Sequence, residues 1–129
     1  MAEYSREMLA ALYELGRLYF ESGYFLPAER IFVGLSAIDR GMTPARVGLG
    51  LIRLEKGQSQ EAIPHLRAGL QAGFYIPESK VGLALSFISL GEKQRAYSLL
   101  LELAREPAMN ENRELRALYE AAMLRCSDG

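Results

Sequence analysis

The sequence repeats one helical pattern at a constant interval of 34 residues. Gly23, Gly57 and Gly91 keep this interval, and so do four further sets of residues. These sets are Leu15, Leu49 and Leu83; Gly16, Gly50 and Ala84; Ala28, Ala62 and Ala96; and Phe32, Leu66 and Leu100. The small residues let two helices approach closely, and a glycine provides the left-handed conformation that ends a helix. The chain is therefore predicted to fold as tandem helical hairpins with a turn at each of the three glycines.

The repeat resembles the tetratricopeptide repeat, whose pattern is W-x2-L-G-x2-Y followed by A-x3-F. The three units read Leu12, Leu15, Gly16, Tyr19, Ala28 and Phe32; Arg46, Leu49, Gly50, Arg53, Ala62 and Leu66; and Lys80, Leu83, Ala84, Phe87, Ala96 and Leu100. The chain departs from the pattern in having no tryptophan and in the displacement of the repeat's terminal proline to Pro44 and Pro77, at the start of the next helix. The resemblance implies one all-α domain over residues 1–129, in which three hairpins form a right-handed superhelix. The repeats are expected at about 9–42, 43–76 and 77–107.

A further helix is predicted after the third unit. Asn110 and Asn112 are candidate N-terminal caps. Leu115, Leu118, Tyr119 and Ala122 then follow with the spacing of one helix face. Because the terminal repeats of a stacked array must cover its open end, we expect a capping helix at about 110–125.

The tetratricopeptide resemblance implies which residues face the concave surface. Nine of them are candidate contacts for a binding partner: Tyr13, Arg17, Phe20, Val47, Leu51, Leu54, Val81, Leu85 and Ile88. The same register adds Ala10, Pro44 and Glu78, so eight of the twelve positions are large and apolar. The resemblance argues against a clamp for acidic C-terminal peptides, since only Arg17 carries the charge that such a clamp needs. Glu14, Glu21 and Glu55 near the rim favour a neutral or basic ligand.

The inner helices have more apolar surface than packing within each hairpin requires. Val47, Leu51 and Leu54 form a second stripe beside Leu49 and Ile52. Burying one such side chain is worth roughly 1.5–3 kcal/mol, and a monomer seldom exposes an apolar patch beyond about 300–600 Å². The stripe is therefore covered by neighbouring inner helices in a tight superhelix, by a bound partner segment, or by self-association.

Two stretches, "GYFLPAERIFVGLSAID" and "VGLGLIRLEKGQSQEAI", together with the three-unit layout, resemble the small chaperones of bacterial type III secretion. The resemblance implies a cytoplasmic chaperone that sequesters an apolar helix or extended segment of a secreted protein before export. Translocator chaperones of this family usually carry an additional N-terminal helical segment. The short N-terminus of this chain is more similar to that of a needle-subunit chaperone, and both types remain open.

Composition narrows the classes of function. A formal net charge of −1 gives no electrostatic reason to expect nucleic acid or an anionic membrane surface as a partner. No run of eighteen apolar residues occurs, and the single cysteine, Cys126, fits a reducing compartment. His65 is the only histidine, and no phosphate-binding loop or metal-ligand cluster is present. The chain is therefore expected to be a cytoplasmic non-enzyme without metal or cofactor.

A second interpretation of the sequence is a constitutive tetratricopeptide scaffold or assembly subunit. In that case the groove or the outer face holds a permanent partner or a second copy of the chain. Tyr4, Met8 and Leu12 on the first predicted helix are the candidate contacts of such a homodimer.

Overall fold

The computed structural model describes residues 4–39 and 41–127. These two ranges contain eight helices and no strand. The helices are α1 (Arg6–Glu21), α2 (Phe25–Ile38), α3 (Thr43–Glu55), α4 (Ser59–Ala72), α5 (Ile76–Ser89), α6 (Lys93–Leu103), α7 (Ala108–Glu111) and α8 (Arg113–Ser127). The predicted all-α fold is therefore confirmed. The expected domain bounds of 1–129 also include residues 1–3, 40 and 128–129, which lie outside the described ranges.

Consecutive helices pack as three hairpins, α1 with α2, α3 with α4, and α5 with α6. Each hairpin turns at one of the periodic glycines, whose φ angles are 85° at Gly23, 76° at Gly57 and 81° at Gly91. After each glycine, the next backbone N–H donates to a carbonyl oxygen five residues earlier, at 2.8 Å in all three turns. This is the bond of the Schellman motif, which satisfies carbonyl groups at a helix C-terminus. The 34-residue period therefore corresponds to one repeated helix-terminating turn.

The small periodic residues accept large side chains from the neighbouring helices. A Cβ atom at Gly16 or Gly48 would lie 2.7 Å or 2.6 Å from the ring of Phe32, which is 2% exposed. The same arrangement recurs one repeat later, because a Cβ atom at Gly50 or Gly82 would lie 2.9 Å from Leu66. The outer helix of one hairpin thus packs closely on the inner helices of its own and the next repeat.

The C-terminal helix packs on the third hairpin. Helix α8 contacts α5 and α6, and its Leu115 and Ala122 join the same hydrophobic cluster as Val81 and Leu100. Asn112 separates α8 from the short α7, because its extended backbone interrupts the helix and its side-chain Oδ1 accepts from the Leu115 N–H at 3.0 Å. The region where we expected a single helix at about 110–125 is therefore divided into two.

Candidate functional site

A concave cavity of about 680 Å³ lies between α1, α3, the start of α5 and the start of α8. We call this cavity the groove. Helix α1 contributes Tyr13, Arg17 and Phe20 to its wall. Helix α3 contributes Val47 and Leu51. Because each of these helices is anchored to an outer helix through the hairpin core, the groove is preformed by the repeat packing.

The floor of the groove is aromatic and apolar. Gly48 has no side chain, so the buried ring of Phe32 reaches the floor between α1 and α3. The Tyr13 ring packs on Phe32 with 5.9 Å between ring centroids, and Phe20 packs on Phe25 at 5.4 Å. Such aromatic pairs are rigid and present a large contact area to a ligand.

Tyr13 also forms a hydrogen bond across the groove. Its hydroxyl group lies 2.5 Å from the hydroxyl group of Tyr75, which belongs to the loop between α4 and α5. Tyr75 adopts the left-handed conformation, with a φ angle of 49°, which is rare for a bulky residue and costs about 1–3 kcal/mol. Burial, and then the hydrogen bond with Tyr75, raise the pKa of Tyr13 well above its ordinary value. Tyr13 is therefore a neutral hydrogen-bonding group at physiological pH.

Charged groups lie along the rim of the groove. Arg17 forms salt bridges with Glu14 and Glu21 on its own helix. The hydrogen bond from Arg17 lowers the pKa of Glu14, and the two glutamates raise the pKa of Arg17. Glu55 and Glu78 also line the groove, as does Glu114 at the start of α8. The rim is therefore predominantly acidic.

The structure brings together five of the nine residues that the sequence indicated as candidate contacts. Tyr13, Arg17, Phe20, Val47 and Leu51 line the groove. Pro44 and Glu78, from the same register, line it too.

The other four candidates, Leu54, Val81, Leu85 and Ile88, do not line the groove. Val81 is only 3% exposed, and the other three pack on the hydrophobic cluster that includes Leu115 of α8. Helix α8 packs on α5, so the apolar stripe of α5 is covered within the chain. On α3, Leu51 borders the open cavity together with Val47, although Val47 is itself only 2% exposed.

Several groove residues were not identified from the sequence. Phe25 and Tyr75 lie at helix starts or in a connecting loop, outside the inner-helix positions of the repeat. Asn112, Glu114 and Leu118 come from α8 and the residue before it. The apolar spacing around Leu118 indicated a helix, but no sequence signal indicated the direction from which that helix approaches the groove.

The groove has features of a binding site and few of a catalytic one. Cys126 and His65 line neither wall of it. Within residues 4–39 and 41–127, no group of three or more histidine, cysteine, aspartate or glutamate residues could hold a metal ion. In that same part of the chain, no helix is long and apolar enough to cross a bilayer. Apolar contact, hydrogen bonding and ion pairing are the interactions that the groove residues offer.

Three solved structures are similar to this chain over most of its length. SycD, the type III secretion translocator chaperone of Yersinia enterocolitica, is 29% identical with a TM-score of 0.73, over 95% of this chain and 88% of that one. PcrH of Pseudomonas aeruginosa, in complex with the chaperone-binding region of PopD, is 26% identical with a TM-score of 0.75, over 97% and 98% of the two chains. A chain in a type III secretion complex from Aeromonas hydrophila is 25% identical with a TM-score of 0.76, over 97% and 87%. The chain has the fold of the type III secretion translocator chaperones.

The translocator-chaperone fold confirms the predicted resemblance to small tetratricopeptide chaperones of type III secretion. No protein-family model and no curated protein sequence matches the chain. SycD has been solved with a peptide of the translocator YopD, and PcrH with the chaperone-binding regions of PopD and PopB. SycD also occurs in an alternative dimer. The sequence left the needle-subunit and translocator types open, and the solved structures similar to the chain include translocator chaperones.

Proposed function

We propose that this chain is a cytoplasmic chaperone of type III secretion that holds an apolar segment of a translocator-type secretion substrate in the groove. The observation that carries the proposal is an open, preformed apolar groove in a chain whose structural relatives are translocator chaperones. Two of those relatives were solved with peptides of their translocators. The acceptance of an apolar segment requires no bond to be made or broken, so the proposed activity is not enzymatic.

The chaperone would act by removing an apolar surface from water. A translocator segment that is destined for a membrane would otherwise aggregate or insert before export. Burying one of its large apolar side chains in the groove contributes roughly 1.5–3 kcal/mol, so a few anchors suffice for a stable but reversible complex. Reversibility matters because the substrate must leave the chaperone before it is secreted.

The proposed contact residues are expected to contribute unequally to the binding free energy. Tyr13 and Phe20 are aromatic residues with restricted side chains, which makes them the strongest candidate anchors. Leu51 provides the accessible part of the α3 floor, and Val47 lies beneath it at 2% exposure. Leu54, Val81, Leu85 and Ile88 are proposed to act indirectly, since they support the packing of α3, α5 and α8 that shapes the groove.

A co-purification experiment with matched variants tests the proposal. Affinity-tagged chain is expressed in the bacterium that encodes it, and bound proteins are identified by mass spectrometry. Phe20→Ala removes a groove anchor, whereas Leu18→Ala removes an apolar side chain that is 53% exposed on the same helix and does not line the groove. We expect a secreted protein with membrane-active apolar segments to be lost with Phe20→Ala and kept with Leu18→Ala. Equal retention of that protein by both variants, with unchanged circular dichroism, would refute the proposal that it binds in the groove.

A second function, a scaffold that self-associates, is favoured by one observation. Tyr4, just before α1, and Met8, in its first turn, are 43% and 50% exposed, and neither lines the groove. A homodimer formed there would bury both residues and leave the groove free. Light scattering on wild-type protein and on Met8→Glu tests this function, which predicts a dimer that the substitution converts to a monomer.

A further inference from the structure

The lining of the groove has a charge that the chain as a whole does not have. Glu21, Glu55, Glu78 and Glu114 contribute four negative charges, and Arg17 contributes one positive charge. The lining therefore carries a net charge of −3, whereas the whole chain carries −1. The negative charges therefore line the same cavity as the apolar floor described above.

Three of these carboxylates have no cationic partner in the described part of the chain. Glu21 is neutralised by Arg17, which also binds Glu14. No lysine, arginine or histidine of residues 4–39 or 41–127 lies within 4.0 Å of the carboxylate of Glu55, Glu78 or Glu114. Glu78 is only partly exposed, and covering it with an apolar ligand would remove water from an unpaired charge. Such desolvation is unfavourable unless the ligand supplies a positive charge.

The three unpaired carboxylates surround the groove from different elements. Glu55 ends α3, Glu78 lies in the first turn of α5, and Glu114 lies in the first turn of α8. A glutamate in a first turn also stabilises its own helix through the helix dipole, and that effect does not depend on which side the residue faces. The convergence of Glu55, Glu78 and Glu114 on one cavity is therefore not explained by helix stability.

We propose that the groove selects apolar segments that carry lysine or arginine beside their anchors, and that Glu55, Glu78 and Glu114 determine this preference. The inference rests on the proposed function, because it assigns the chemistry of the segment that the groove holds. The apolar floor would bind the anchors, and the acidic rim would bind the flanking cations. A segment flanked by acidic residues would be rejected by like charges.

The expected size of the effect follows from the exposure of the carboxylates. Exposed ion pairs typically change an equilibrium by about 1.4- to fivefold each, so three pairs together change affinity on the order of tenfold. The preference should weaken with salt, since the screening length is about 10 Å at 0.1 M and about 3 Å at 1 M. The apolar contribution should not weaken in this way.

Selection from a phage-displayed library of random dodecapeptides tests the inference and does not require the natural substrate. The library is panned against wild-type protein and against a triple variant with Glu55→Gln, Glu78→Gln and Glu114→Gln. The matched control carries Glu7→Gln, Glu61→Gln and Glu111→Gln, three exposed residues that do not line the groove. Both triple variants change the net charge equally. A fourth protein, Phe20→Ala, reports whether selected peptides occupy the groove.

The selection distinguishes the proposed preference from its alternatives. We expect wild type and the control to enrich apolar peptides with neighbouring lysine or arginine, and the groove triple variant to enrich apolar peptides without them. A peptide selected on wild type should bind the groove triple variant about tenfold more weakly in low salt, with a smaller difference in high salt. Apolar peptides without basic enrichment on wild type would overturn the inference while leaving the proposed function intact. Peptides that bind Phe20→Ala as well as wild type, or no enrichment at all, would count against the proposed function itself.

Discussion

The hydroxyl groups of Tyr13 on α1 and Tyr75 before α5 are hydrogen-bonded although the two residues are 62 positions apart in the chain. The bond joins the first hairpin to the entry of the third across the groove. Tyr75 reaches Tyr13 from a strained left-handed backbone conformation. Strain of this kind is found where the surrounding structure holds a residue in place for function. The width of the groove at this point is therefore set by a side-chain contact as well as by helix packing.

Replacing Tyr75 with phenylalanine should lower the pKa of Tyr13 toward its ordinary value. Burial is the larger cause of the raised pKa and remains in the variant, so the pKa should fall only part of the way. Because folded protein holds the Tyr13 proton more tightly than unfolded protein does, folding stability should decrease as pH rises above about 10. Carbon NMR of labelled tyrosine side chains follows the titration of Tyr13 in wild type and in Tyr75→Phe. An unchanged Tyr13 pKa in Tyr75→Phe would contradict the hydrogen bond between the two tyrosines.

Gly48→Ala should destabilise the protein and disturb the groove floor. The new Cβ atom would lie 2.6 Å from Cε2 of Phe32, so the ring must move. Overpacking of this kind costs typically about 1–3 kcal/mol. Gly34→Ala is the matched control, because it lies inside α2 with no atom within 4 Å of the new Cβ position.

Urea unfolding followed by circular dichroism compares the two glycine variants. Gly34→Ala should raise the free energy of unfolding by about 0.5–1 kcal/mol through higher helix propensity. A decrease for Gly48→Ala and an increase for Gly34→Ala are expected. Equal changes of the same sign would show that close packing on Phe32 is not the cause.

Glu29→Gln should weaken the contact between the first two hairpins. The Glu29 carboxylate accepts from Arg53 at 2.6 Å and from Lys56 at 2.8 Å, and its side chain is only 12% exposed. The two cations lose their partner in the variant, and they are exposed enough that the loss should be moderate, about 1–2 kcal/mol. Glu61→Gln, at an exposed position of α4, should change stability by less than about 0.5 kcal/mol. Chemical denaturation at low and high salt measures the free energy of unfolding of both variants. Equal stabilities of Glu29→Gln and wild type would exclude a stabilising role for the contacts of Glu29 with Arg53 and Lys56.

His65 should make the protein less stable in mild acid. Burial is the main cause that lowers its pKa, and the positive charges of Arg46 and Arg53 lower it further. The unfolded chain therefore takes up the His65 proton at a higher pH than the folded chain does. The stability that neutral His65 contributes is fully present above its ordinary pKa of about 6.5, and it is lost as pH falls through the lower pKa of the folded state.

The sole histidine allows a direct measurement of this effect. Proton NMR of the imidazole gives its pKa in the folded protein, which should be below the ordinary value. Thermal unfolding of His65→Gln should depend less on pH in this range than that of wild type. A folded-state pKa at or above the ordinary value would contradict the predicted slope.

The fold could be predicted from the sequence because its determinants are local and periodic. Gly23, Gly57 and Gly91 terminate helices through their own backbone conformation. Gly16 on α1 and Phe32 on α2 pack against each other, so this small and large pair predicts the contact between these two helices. Each repeat therefore contains most of the information for its own structure, as is typical of arrays in which units contact only their neighbours.

The groove could be predicted only in part, because its boundaries depend on contacts between distant elements. The repeat register identified Tyr13, Phe20 and Val47, which lie on the inner helices of the first two repeats. The register placed Val81 in the groove as well, whereas the structure buries it in the core that α8 completes. Tyr75 lies in a loop whose direction no periodic pattern specifies.

Site-specific photo-cross-linking in the native host tests whether a secreted protein occupies the groove. A photoreactive phenylalanine analogue is placed at Phe20 in the groove and, as the control, at Leu101, which is 47% exposed on α6 and does not line it. We expect a cross-link from position 20 to the apolar segment of a secreted translocator-type protein, and none to that protein from position 101. A cross-link to the same protein from position 101 alone, or no partner at position 20, would show that the groove does not hold it.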